Sequence, residues 1–242
     1  SFDRRMPEEI NRVLTDQISD FLFVTEESAI QNLAREGISE DKIHFVGNVM
    51  IDTLRKHLKK ASESKILEKL DLREKEYALL TLHRPSNVDD KKQFNNILDI
   101  LNDIQEKIQL LLPLHPRTKK RIEEYSLQSK INSMKNLTIT KPLGYLDFLN
   151  LMKNAKLVIT DSGGIQEETT ILKVPCLTMR ENTERPITIT QGTNTLIGTN
   201  KEKINQSINT ILTNKTKKGN TPKLWDGKTS KRITNTIIKH FC

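Results

Sequence analysis

The sequence is poor in sulfur and in aromatic rings. Its two cysteines, Cys176 and Cys242, cannot form a disulfide framework, so a reducing cytoplasm is the expected location. No apolar run approaches the ~20 residues needed to span a bilayer, and no secretory leader opens the chain, so no membrane partner is expected. Aromatic residues are only 5% of the total, too few for a base-stacking platform. The net charge is +8, but the lysines are dispersed over many segments, with one short cluster at Lys215–Lys218. Solvated helix faces and an anionic small-molecule substrate account for that charge, and no nucleic-acid partner is expected. No pair of histidines has metal-ligand spacing and Cys-x-x-Cys is absent, which argues against a metal. No Gly-x-Gly-x-x-Gly follows a strand, which argues against a nicotinamide cofactor, and no cofactor is expected. No serine stands in a Gly-x-Ser-x-Gly setting, so a nucleophile elbow is excluded.

What remains is an ordinary globular composition, 35% hydrophobic and 29% charged over 242 residues. That length suffices for one large domain or two small ones. Apolar runs alternate with amphipathic stretches. Strands are expected at 21–24, 43–46, 77–82, 110–114, 137–140, 156–160, 176–179 and 193–197. Helices are expected between them, from Pro7 in the first to a last one carrying Ile233, Ile237, Ile238 and Phe241. Ile10, Val13, Leu14 and Ile18 give the first helix an apolar stripe. The segments 83–87 and 115–118 are expected as polar loops. The pattern predicts an α/β fold with a doubly wound parallel sheet.

Residues 1–46 supply too few elements to cover both faces of a sheet. They read either as the remnant of an N-terminal Rossmann-like lobe or as a small irregular lobe. Residues 47–225 read as a second Rossmann-like lobe, and residues 226–242 as a C-terminal helix crossing back to the first.

The stretch Lys156–Arg185 holds the most suggestive chemistry. A buried strand turns through Asp161-Ser162-Gly163-Gly164 into a helix, whose free N–H groups and dipole favour a phosphate. Glycine at 163 and 164 leaves the backbone open to close approach. Glu167 and Glu168 lie one turn in, where a carboxylate suits sugar hydroxyls, and Arg185 offers a second cation. An ordinary β–α turn with solvated carboxylates stays open as an alternative. Ligands of doubly wound sheets lie beyond the carboxyl ends of the strands, so His83, Arg84, His115, Arg117, Lys141 and Ser162–Gly164 are expected on one rim. His83 is either a phosphate donor or a strand-end cap, and His115 reads as structural. Glu8 is a candidate acid or base if burial raises its pKa, although its position alone suggests a plain first-turn carboxylate.

Taken together, Ser1–Arg12, Phe45–Leu54 (FVGNVMIDTL), Leu82–Asn87 (LHRPSN), His115–Thr118 (HPRT), Asp161–Glu168 (DSGGIQEE) and Arg180–Pro186 (RENTERP) resemble the non-hydrolysing UDP-N-acetylglucosamine 2-epimerases. The resemblance runs along essentially the whole chain. It implies a GT-B-like, two-lobed architecture with the N-terminal lobe mostly missing. It also implies interconversion of UDP-GlcNAc and UDP-ManNAc, by elimination and re-addition of UDP, for surface polysaccharide precursors. By match, Ser162, Gly163 and Gly164 hold the diphosphate and Glu168 the ribose. Phe148 lies near the uracil, Arg185 and His83 touch the phosphates, and Glu8 is a catalytic carboxylate, with His83 grouped beside it. The resemblance further implies a homodimer when full length. The family's other catalytic acids fall outside these 242 residues, so UDP binding without turnover is expected of them. His115-Pro116-Arg117-Thr118 also departs from the His-x-Asn-Pro of many bacterial members, so their allosteric second site is not expected. A GT-B glycosyltransferase and a non-catalytic UDP-binding fragment are the competing readings.

Overall fold

The computed structural model describes Arg4 and residues 7–241. Part of the Ser1–Arg12 match, and Cys242, therefore lie outside the described residues. The chain divides into two compact units, one formed by residues 1–56 with 221–242, the other by residues 57–220. No helix among the described residues is long and apolar enough to cross a membrane.

The first unit opens with α1 (Pro7–Ile18), β1 (Leu22–Val24), α2 (Glu27–Arg35) and β2 (Ile43–Phe45), followed by α3 (Val49–Ser62), which runs on past residue 56. β1 and β2 pair in parallel, Leu22 opposite Ile43, over a small core of Leu22, Val24, Leu33 and Ile38. The expected stripe of α1 is not a buried seam: Ile10, Leu14 and Ile18 are exposed, the last at 84%. What α1 buries is Glu9, which with Asp16 and Glu36 surrounds the Arg12 guanidinium at 2.7–2.8 Å. Hydrogen bonds from Arg12 hold Glu9 and Glu36 below the usual carboxylate range, against the opposing push of burial.

The second unit carries α4 (Ile66–Lys69), β3 (Tyr77–Thr81), α5 (Pro85–Val88), α6 (Lys91–Gln105), β4 (Gln109–Pro113), α7 (Pro116–Glu124), α8 (Gln128–Asn132), β5 (Leu137–Thr140), α9 (Tyr145–Asn154), β6 (Leu157–Thr160), α10 (Gly163–Leu172), β7 (Cys176–Thr178), α11 (Pro186–Thr190), β8 (Asn194–Leu196) and α12 (Lys201–Leu212). Its six strands are all parallel, in the order β5-β4-β3-β6-β7-β8. Counted within the sheet this is the 3-2-1-4-5-6 order of a dinucleotide-binding sheet, with its switch point between β3 and β6. β6 is buried at every position and β3 at all but its last, as uninterrupted apolar strands in a parallel sheet must be. α6 follows its predicted period: Phe94, Ile97, Leu98, Leu101 and Ile104 enter the main core, and Asp90 caps the helix by accepting from Gln93 N at 2.7 Å.

The chain then returns to the first unit with α13 (Thr229–Phe241). Asp52 on α3 caps α13, accepting from Ser230 N at 2.7 Å and Thr229 N at 3.1 Å. Trp225 is buried and donates Nε1 to Thr25 O at 2.9 Å. Gly47, at φ +93°, must be glycine here, because a Cβ would sit 2.1 Å from Leu224 O.

Two expected loops are corrected. The helix α5 begins at Pro85, inside the segment 83–87, and runs to Val88, and α7 begins at Pro116 rather than after Thr118. Each helix starts with proline at its first position, where a missing N–H costs nothing and φ is already set.

Candidate functional site

β3 and β6 are tied at their carboxyl ends by a contact of 2.6 Å between Thr81 Oγ1 and Thr160 Oγ1. Thr160 Oγ1 also accepts from Ser162 N at 2.9 Å, which shapes the turn into α10. Asp161, between them, has no exposed surface. Its Oδ2 accepts from His83 N and Arg84 N, both at 2.9 Å, and from Asn87 Nδ2 at 3.2 Å. Its Oδ1 lies 3.0 Å from His83 Nδ1. Burial alone would raise the Asp161 pKa. The His83 ring and the His83 and Arg84 N–H groups outweigh it and leave the carboxyl below its ordinary value. Asp161 was expected only as a turn residue. It is the buried anchor of the loop after β3.

His83 is thereby oriented from Nδ1. His115 lies beside it, the two ring centroids 5.1 Å apart. His115 caps α7, its Nδ1 accepting from Arg117 N at 3.2 Å, in keeping with a structural role. Burial, with the charges of His83 and Arg117, lowers its pKa.

Ser162 stands at the N-cap of α10, yet its side chain makes no capping bond. A Cβ built on Gly163 or Gly164 meets nothing within 4 Å, and neither glycine has a positive φ. Nothing within the fold requires glycine at either place. The helix start opens onto free space, at the switch point where doubly wound sheets take ligands.

One turn in, Glu167 and Glu168 are both buried. Glu167 Oε1 lies 2.7 Å from Arg185 Nε, so the second cation that Arg185 offers is paired with a buried carboxylate on α10. Glu168 Oε1 accepts from Tyr145 Oη at 3.0 Å. Burial raises the Glu168 pKa, the Tyr145 hydrogen bond offsets part of that, and the Glu167 charge adds to it. In the loop after β7, Arg180 grips Glu184 with two hydrogen bonds of 2.7 and 2.8 Å and holds its carboxyl at about 2. Phe148 is half-buried on α9, the helix that Tyr145 begins.

His83, Phe148, Ser162, Gly163, Gly164, Glu168 and Arg185 thus belong to one unit. Glu8 belongs to the other, exposed in the first turn of α1 beside the buried Glu9. Sequence reasoning missed Asp161, Tyr145 and Gln166. For Asp161 the available signal was its place directly after a strand buried at every position.

Residues 1–238 match the family model described as UDP-N-acetylglucosamine 2-epimerase. A curated UDP-N-acetylglucosamine 2-epimerase of Methanocaldococcus jannaschii is 47% identical, over 98% of this chain and 66% of that protein. The crystal structure of the Methanocaldococcus jannaschii UDP-GlcNAc 2-epimerase with UDP-GlcNAc and UDP superposes with a TM-score of 0.89, covering 99% of this chain and 66% of that one. A UDP-N-acetylglucosamine 2-epimerase of Methanococcus maripaludis is 44% identical over 98% of this chain and 66% of its own length. A UDP-2,3-diacetamido-2,3-dideoxy-D-glucuronate 2-epimerase of Pseudomonas aeruginosa is 39% identical over 99% of this chain and 65% of its own. The chain therefore spans about two-thirds of the length of these relatives, and its α/β fold with parallel sheets is that of the GT-B-like epimerases. Matched along nearly every residue, it belongs to the UDP-N-acetylglucosamine 2-epimerase family.

Proposed function

We propose that the full-length gene product interconverts UDP-GlcNAc and UDP-ManNAc, and that these 242 residues bind UDP without turnover. A base takes the C2 proton while the C1–O bond to UDP breaks with its electron pair leaving on the diphosphate. The 2-acetamidoglucal that results takes UDP back at C1 and a proton at C2 from the opposite face. The task of the second unit is to bind UDP and stabilise it as a leaving group, which is electrostatic work. Ser162, Gly163 and Gly164 hold the diphosphate at the start of α10. His83, oriented by Asp161, and Arg185, seated on Glu167, face the phosphates. Glu168 accepts from the ribose hydroxyls, Phe148 lies by the uracil, and Glu8 is a catalytic carboxylate. The observation that carries this reading is the open space over Gly163 and Gly164 at an uncapped helix start. By the same family resemblance, the working enzyme is a cytoplasmic homodimer supplying surface polysaccharide precursors.

The test has two arms. Calorimetric titration of the 242-residue chain with UDP should give saturable heat. Incubation of the full-length gene product with UDP-GlcNAc in deuterium oxide should place deuterium at C2 without any sugar acceptor. Transfer that needs an acceptor, with no C2 exchange, would make it a glycosyltransferase. Exchange with the diacetamido-glucuronate substrate but not with UDP-GlcNAc would reassign the sugar.

Glu168 gives a prediction in which stability and binding move apart. Its folded pKa lies above the ordinary value. Its ionisation therefore costs stability, a cost absent below the ordinary glutamate pKa near ~4.3 and growing as pH rises through the folded value. Glu168→Gln keeps an acceptor for Tyr145 and should stabilise the chain by about 1 kcal/mol at pH 7, with no gain at pH 4. The same change should weaken UDP binding roughly tenfold, because a neutral amide is a poorer acceptor for two hydroxyls. Thermal melts at both pH values, paired with calorimetry, check it.

A further inference from the structure

A buried polar network joins the two parts of the site, and none of its members is assigned to substrate. Gln166 on α10 has no exposed surface. Its Nε2 donates to Ser162 O at 3.2 Å. Its Oε1 accepts from Thr183 Oγ1 at 2.7 Å and from Asn194 Nδ2 at 2.9 Å. Asn194 on β8 is 1% exposed; it also donates to Thr188 Oγ1 at 3.2 Å and accepts from Thr178 Oγ1 at 2.6 Å.

The ends of this network converge on the main chain of one residue. Arg185 N donates to Thr183 Oγ1 at 3.0 Å, and Arg185 O accepts from Thr188 Oγ1 at 2.7 Å. Arg185 itself has φ −126° and ψ 58°, outside the regular helix and strand regions. Its side chain is referenced to the same helix a second time, through Glu167. Burying two amides and the hydroxyls of Thr178 and Thr188, with Thr183 half-buried beside them, costs stability unless each finds partners, and an apolar cluster would fill the space as well. An apolar cluster would not fix both peptide groups of residue 185 against the turn at residue 162.

We propose that Gln166, acting through Thr183 and Asn194, is a positioning residue that sets Arg185 at a fixed place relative to the Ser162-Gly163-Gly164 turn, so that one diphosphate meets both. This rests on the UDP-site reading above.

The experiment compares UDP and UMP binding by calorimetry in the unmodified chain, Gln166→Leu, Thr183→Val and Thr183→Ser. Thr183→Val is nearly isosteric and removes only the hydroxyl between Gln166 and Arg185 N, so it keeps the test open should Gln166→Leu fail to fold. Each broken link should cut UDP affinity about fivefold to tenfold, in line with one lost hydrogen bond in a positioned network. UMP affinity should stay within about twofold, so the UDP-over-UMP ratio collapses, and Thr183→Ser should restore it. An equal loss for both nucleotides would reduce the network to fold maintenance and overturn the proposal, as would an unchanged ratio in Thr183→Val. A parent chain that binds UMP and UDP equally, or neither, would overturn the UDP-site reading itself and this inference with it.

Discussion

Gly164→Ala should leave the chain as stable as the parent, or slightly more so, while removing most of its affinity for UDP. A methyl group at either glycine meets nothing within 4 Å, and neither residue has a positive φ. Alanine also narrows the unfolded ensemble, a gain of about 0.4–1 kcal/mol where the native backbone accepts it. A phosphate hydrogen-bonded to the first N–H groups of α10 would, by contrast, have to share its place with that methyl. A loss of thirtyfold or more in affinity, about 2 kcal/mol, is expected. Melting and UDP titration on one preparation decide it. Parent-like UDP binding in Gly164→Ala and Gly163→Ala would mean that the open space over this turn is not where the diphosphate sits.

The largest effect on stability should come from Asp161. Asp161→Ala removes a carboxylate with no exposed surface and strands its donors, the N–H groups of His83 and Arg84 and the Asn87 amide. Breaking such a buried charged cluster costs about 3–5 kcal/mol. Asp161→Asn keeps an acceptor for the two N–H groups and should cost less. Because the folded pKa of Asp161 lies below its ordinary value, its stabilisation is fully present above the unfolded pKa of ~3.9 and fades as pH falls through the lower folded value. Urea unfolding of the parent and Asp161→Asn should therefore show a gap that narrows as pH falls below about 4. A gap that widens in acid would contradict this account of Asp161.

The strands were the most legible part of the chain. Tyr77–Thr81 and Leu157–Thr160 are short, apolar and flanked by polar residues, and a parallel sheet buries such runs on both faces. The short helices α5, α7 and α11 were harder to read, and they share a cause. Each starts at a proline, Pro85, Pro116 or Pro186, and proline in a polar stretch suggests a loop unless the first helical turn is considered. The Ser-Gly-Gly turn could be found because strand, turn and helix are contiguous. Asp161 could not be weighed in the same way, since its partners lie on β3 and the loop after it, about eighty residues earlier, and sheet order decides that they meet. Gln166 hides for a related reason: its partners Thr183 and Asn194 come from two later segments. The Arg12 cluster shows the limit of helical periodicity, for the apolar stripe of α1 faces outward and the carboxylates are the buried side.

The return of α13 to the first unit bears on how the chain matures on the ribosome. Residues 57–220 are contiguous and hold a complete parallel sheet, so they have all their partners once they have emerged. The other unit has to wait for its closing segment, which brings Trp225 to Thr25 and α13 to Asp52. Trp225 is the sole indole in the chain. Its emission is therefore a private optical reporter of that late closure, silent while the six-stranded sheet assembles.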